Sequence, residues 1–194
     1  ADYAWNMDAY KSDASWRRAV RYLMPGHAAA LQVFASHNSD LGGNEHDFRR
    51  EESEQIRPAL ERLLDAYCRE GKREVAAASA VTEECERMIA SADLLLASDE
   101  NPALIKEISP WLIQFKLLGE YGREVLCMLA AQCDGKKTEL EKAASHAKAL
   151  QVLMKKIDAT YNQNGFQPGV KTGSCHLKPA FDRLYQEVVQ RTGK

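Results

Sequence analysis

The sequence predicts an all-α protein, a bundle of about six helices with long antiparallel members at its centre. Three observations carry that reading. Apolar residues recur at i, i+3, i+4 and i+7 through most of the 194 residues, the spacing of one helix face. Glycine and proline are sparse, eleven and six residues, too few for a turn-rich β-sandwich. No segment of four to eight residues alternates apolar and polar in the manner of a half-buried strand.

The elements follow in chain order. Ser12 is placed to cap a first helix in which Trp16, Ala19, Val20 and Leu23 fall on one face. Pro25 interrupts that helix and suits the first turn of the next, which presents Ala28, Leu31, Phe34 and Ala35. A polar connection follows, from Ser36 through Asn44. The third stripe is Ile56, Leu60, Leu63, Leu64 and Tyr67, closed by Gly71 with Lys72 and Arg73. The fourth runs through Val81, Cys85, Met88, Ile89, Ala92, Leu95 and Leu96.

Asn101-Pro102 reads as a cap followed by a first-turn proline, and it opens the longest stripe, from Leu104 to Leu129. Pro110 lies inside it and is expected to kink the helix, because it removes the bond to the carbonyl of Lys106. Thr138 and Glu141 have capping-box spacing ahead of Leu140, Ala144, Ala147, Leu150, Met154 and Ile157. Residues 161–175 form one long irregular stretch, and a last helix carries Phe181, Leu184, Tyr185, Val188 and Val189. Trp16, Trp111 and Phe115 are the expected core anchors, and the methionines Met88 and Met154 belong to the same core.

Composition removes several function classes. Twenty-six Lys and Arg against twenty-eight Asp and Glu leave a net charge of −2, which offers no basic field for nucleic acid. The longest run without a formal charge, Tyr22 to Ser39, contains Pro25, His27, Gln32, His37 and Asn38, so no membrane span is expected. No signal peptide is visible. The chain opens at Ala1 and runs directly into aromatic sequence, which reads as a piece of a longer protein. The five cysteines, Cys68, Cys85, Cys127, Cys133 and Cys175, include no Cys-x-x-Cys pair and read as packed thiols, with a disulfide or a reactive thiol as the alternative.

Active-site patterns are missing. There is no His-Glu-x-x-His, no Glu-x-x-His of a di-iron bundle, no phosphate-cradling glycine loop, no Gly-x-Ser-x-Gly and no Asp-Asp. The sequence therefore names no catalytic residue, no cofactor and no metal site. One polar cluster stands out: His37, Asn38, Asp40, Asn44, Glu45, His46 and Asp47, followed by Arg49-Arg50-Glu51-Glu52. His37, Asp40 and His46 have donor types suited to a divalent metal. The favoured reading is a helix–helix connection whose short polar side chains cap helix ends while the arginines and glutamates pair. The alternatives are that metal site and a surface facing a neighbouring domain, for which His37, Asp40, Arg49 and Arg50 are the candidates.

Ser36-His37-Asn38-Ser39-Asp40-Leu41-Gly42 with Arg49-Arg50-Glu51-Glu52-Ser53, Pro110-Trp111 with Gln114-Phe115-Lys116-Leu117, Asn162-Gln163-Asn164 and Gln167-Pro168-Gly169-Val170-Lys171-Thr172 closely resemble the post-catalytic helical domain of bacterial glycoside hydrolase family 84 enzymes. The opening Ala1-Asp2-Tyr3-Ala4-Trp5-Asn6 with Ser15-Trp16 looks like the exit from that family's barrel. The resemblance implies residues 1–11 as a linker and 12–194 as the bundle. It also implies an upstream catalytic (β/α)₈ barrel in the same chain and a periplasmic or secreted bacterial location, and it leaves a homodimer open. Such enzymes are β-N-acetylglucosaminidases related to O-GlcNAcase and once called hyaluronidases. They use the substrate's 2-acetamido oxygen as nucleophile, with two neighbouring aspartates orienting that amide and protonating the leaving oxygen. Those aspartates have no counterpart in this sequence, so this stretch is not itself the enzyme. The alternative reading is an autonomous helical interaction module with no hydrolase attached.

Overall fold

Where they are described, the apolar stripes are helical in the computed structural model, which describes residues 12–37, 53–134, 141–142, 145–146, 148–153, 155–156, 159 and 177–192. Side chains are described for 18–35, 58–67, 69–134, 141–142, 145–146, 148–153, 155–156, 159 and 181–190. The helices are α1 (Ser12–Leu23), α2 (Ala28–His37), α3 (Ser53–Glu70), α4 (Val75–Leu96), α5 (Pro102–Asp134) and α6 (Leu177–Thr192). A 3-10 turn at Pro25–His27 separates α1 from α2, and residues 148–153 are also helical. Among the described residues there is no strand.

α4 and α5 form the central pair. α2 and α3 pack on α4, α6 packs on α5 and α3, and α1 lies against α2 and the 3-10 turn. The core between them is continuous, from Val20 and Met24 through Phe34, Leu63, Met88, Leu112, Phe115 and Leu129 to Leu150, Phe181 and Val188. Phe115 is fully buried and meets Phe34 edge-on, with ring centroids 5.5 Å apart at 77°. Trp111 is half-buried and packs against the same core. The side chains of Trp16 and Met154, the Thr138 end of the capping box and residues 161–175 lie outside the described residues.

Helix ends show the local chemistry that sets their limits. Gly71 closes α3 with φ of 65°, and its N–H donates to the Tyr67 carbonyl at 2.9 Å. Glu74 caps α4, its carboxylate accepting from the amides of Ala76 (3.2 Å) and Ala77 (2.6 Å). Asn101 caps α5 through Leu104 N–H (3.2 Å), while its amide donates to the last carbonyl of α1, Leu23 (3.2 Å). α5 runs as one helix through Pro110. There the Ser109 hydroxyl donates to the Lys106 carbonyl at 3.2 Å, serving the acceptor that proline leaves without its amide.

Close backbone approach fixes the centre of the bundle. A Cβ on Gly119 would lie 2.9 Å from the Cys85 carbonyl oxygen, and one on Gly122 would lie 2.5 Å from Phe181 Cζ and 2.7 Å from Cys85 Sγ. These two glycines let α5 seat directly on α4 and α6.

Candidate functional site

Two constellations of polar side chains stand out, one at each end of the bundle. The first is the corner where the 3-10 turn meets the α4–α5 connection. Glu100 accepts the Gly26 N–H at 2.7 Å and lies 2.9 Å from His27 Nδ1, and the Ser98 hydroxyl sits 3.3 Å from the same ring nitrogen. The backbone amide of Gly26, and then the His27 ring, hold the Glu100 carboxyl below the usual carboxylate range. With Asn101 reaching Leu23, this corner ties the end of α1 to the central pair. Its chemistry is structural: the carboxylate is spent on a backbone amide and an imidazole.

The second is a cleft of about 540 Å³ beside the α3–α4 connection, lined by Arg73, Cys127, Cys133, Asp134, Lys142 and His146 among others. His146 Nδ1 lies 2.6 Å from Glu124 Oε2. Burial, and then the Glu124 charge, push the half-buried Cys127 thiol up, which leaves it a poor nucleophile. Asp134 is the one carboxylate in the described lining. A glycosidase centre needs an acid at the leaving oxygen and a second preorganised group on the reacting sugar. Among its described lining residues the cleft holds one such group, Asp134.

Elsewhere several acidic side chains sit in ion pairs on the bundle surface. Asp93 meets Lys116 at 2.6 Å, Glu86 meets Arg123 at 3.3 Å, and Asp65 meets Arg69 at 3.4 Å. The Asp93 hydrogen bond holds the Lys116 ammonium above the usual lysine range. Glu84 differs in burial: it is 4% exposed on the core side of α4 and paired with Arg87. Sequence reading missed it, although Arg87 three residues on is the partner spacing that lets a carboxylate enter a core stripe. Among the described residues no three His, Cys, Asp or Glu side chains converge on a point that could hold a metal ion.

Of the residues singled out from sequence as domain contacts, His37 ends α2 with its side chain outside the described residues, and Asp40, Arg49 and Arg50 lie wholly outside them. The cluster, and the metal arrangement with His46, therefore lie outside the described residues. The cap at Glu74 and the His27–Glu100 corner carry no advance signal, because their partners are 73 and more residues apart or are bare backbone amides.

The family profile described as "Bacterial GH84, post-catalytic domain" matches residues 52–185, more than half of the chain. The chain belongs to that family. Solved structures agree in fold. CpGH84B superposes with a TM-score of 0.74 at 19% identity, over 94% of this chain and 29% of that one. CpGH84D superposes with a TM-score of 0.73 at 23% identity, over 97% and 31%. This chain thus spans about a third or less of the length of either. In this GH84 post-catalytic domain no described helix is long and apolar enough to cross a membrane.

Proposed function

We propose that this chain is the non-catalytic helical domain that follows the (β/α)₈ barrel of a family 84 β-N-acetylglucosaminidase. Residues 1–11 serve as the connection from the barrel and 12–194 as the bundle, with His37, Asp40, Arg49 and Arg50 contributing polar contacts between the two. The barrel supplies the chemistry on terminal β-linked N-acetylglucosamine, and the bundle supplies a rigid body beside it. The family match over residues 52–185 carries this reading. The occupation of Glu74 in a helix cap and of Asp93 and Glu86 in ion pairs supports it.

An aryl β-N-acetylglucosaminide assay tests it. The full-length protein is expected to turn over the substrate, while the purified 194-residue chain shows a helical circular dichroism spectrum and no turnover above background. Turnover by the chain alone, abolished by substituting one of its own Asp or Glu residues, overturns the proposal.

A further inference from the structure

The cleft beside the α3–α4 connection has no part in the proposed function. Its volume of about 540 Å³ falls within the span of small-molecule sites, roughly 300–1,000 Å³. Its lining combines Ala130, Ala131 and the Cys127 thiol with the cations Arg73 and Lys142 and the imidazole of His146. Asp134 is the one carboxylate in the described lining, so fixed positive charge there outweighs negative.

The chemistry of these groups favours an anion. Arg73 is exposed and makes no hydrogen bond or ion pair among the described residues. The cations beside it in sequence are engaged, Arg69 with Asp65 at 3.4 Å and Lys72 with Glu70 at 3.7 Å. A guanidinium in that state presents a planar fork of donors that matches an oxyanion. His146 is oriented from behind, with Nδ1 2.6 Å from Glu124 Oε2. An ionised carboxylate only accepts, so the ring proton sits on Nδ1, and Nε2 becomes a donor when the imidazole takes its second proton. Cys127 brings no opposing charge, because burial and the Glu124 carboxylate keep it a neutral thiol. The last turn of α5 offers carbonyl oxygens rather than amides, so recognition falls to these side chains.

We infer that the cleft binds a small organic oxyanion, its headgroup on Arg73 and His146 and its apolar body over Ala130 and Ala131. A bare inorganic ion would fill little of the volume and would leave the alanines uncovered. This site stands or falls independently of the proposed function.

Benzenesulfonate is the probe, since its charge is fixed, and methyl phenyl sulfone is its uncharged counterpart. Each is titrated at constant ionic strength into the isotope-labelled 194-residue chain, with its helical circular dichroism verified, and followed by amide chemical shifts. Benzenesulfonate is expected to give saturable shifts centred on Arg73, Cys127 and His146, and the sulfone none. Arg73→Gln should weaken binding roughly tenfold, the scale of one hydrogen bond to a charged group. Arg62→Gln, at an exposed arginine of α3 outside the cleft, should leave it unchanged. Affinity should rise between about pH 7.5 and about pH 5.5 as His146 takes its proton, and His146→Gln should abolish that rise. The other ionisable groups around the ring are Glu124, Cys127, Cys133 and Asp134 of α5, Arg73, and Lys142 on its own segment, and the carboxylates and cations among them keep their charge over this range.

Shifts that do not saturate, equal binding of the sulfone, or an Arg73→Gln chain that binds as tightly as the parent overturns the inference. Should a variant lose its helical spectrum, the parent's titration decides. Saturable shifts on the cleft that the sulfone does not reproduce uphold the site, and shifts centred elsewhere on the surface overturn it.

Discussion

Gly122→Ala isolates the close seating of α5 on its neighbours. In an open helix the change stabilises by about 0.5–1 kcal/mol, because alanine loses less backbone freedom on folding. Here the new methyl would sit 2.5 Å and 2.9 Å from Phe181 Cζ and Cε1, and 2.7 Å from Cys85 Sγ. Carbon atoms pack at about 3.5–4.0 Å, so the ring or the helix must retreat by roughly 1 Å. Phe181 has little room, being 1% exposed and edge-on to Tyr121 at 6.3 Å and 89°. Overpacking of this kind costs about 1–3 kcal/mol, which leaves a net loss of about 1–2 kcal/mol after the helix gain. Urea denaturation of the chain should show a lower midpoint at unchanged m, and Tm should fall by about 2–4 °C for each kcal/mol lost. The double variant with Phe181→Leu should lose less than the two single changes added together, since the shortened ring releases the clash. A Gly122→Ala chain as stable as the parent, or more stable, would refute the argument.

Phe115→Ala should cost about 3–5 kcal/mol in the same denaturation experiment, because the ring is fully buried and its edge-on contact with Phe34 is lost. The Glu100 corner predicts a pH dependence: its carboxyl is held low in the folded state, so the stabilisation is complete above the unfolded carboxylate value and is lost as pH falls through the folded one. A Glu100→Gln chain should therefore lose the acid-side part of the wild-type slope of Tm against pH. Thiol labelling with a disulfide reagent should modify the exposed Cys133 in the native state and leave Cys85 unreacted until urea unfolds the chain. Burial, with the Glu84 and Glu86 charges, pushes the Cys85 thiol up to about 12.

The helices and their core faces are legible in the sequence because they are set by local periodicity and terminal chemistry. Val81, Cys85, Met88 and Leu95 share a face by spacing alone, and Pro25, Gly71 and Asn101 punctuate the chain through backbone geometry that does not depend on distant residues. The family's motifs are legible for the same reason, as runs of adjacent residues.

Only the tertiary structure decides what depends on pairing across the chain. Glu84 inside the core, Glu100 beneath Gly26 and His27, Tyr121 bonded to Asp182 at 2.7 Å, and the glycines pressed against Cys85 and Phe181 join positions far apart in sequence or set by helix rotation. Periodicity says that a face is buried, but it carries no information on which helix covers it or how closely. That is decided by packing at near-crystalline density, where displacements of an ångström separate a good contact from a clash. The exposure of Tyr22 is of this kind: as a sequence α1 is one more amphipathic helix, and only its place in the bundle leaves that side chain 87% exposed.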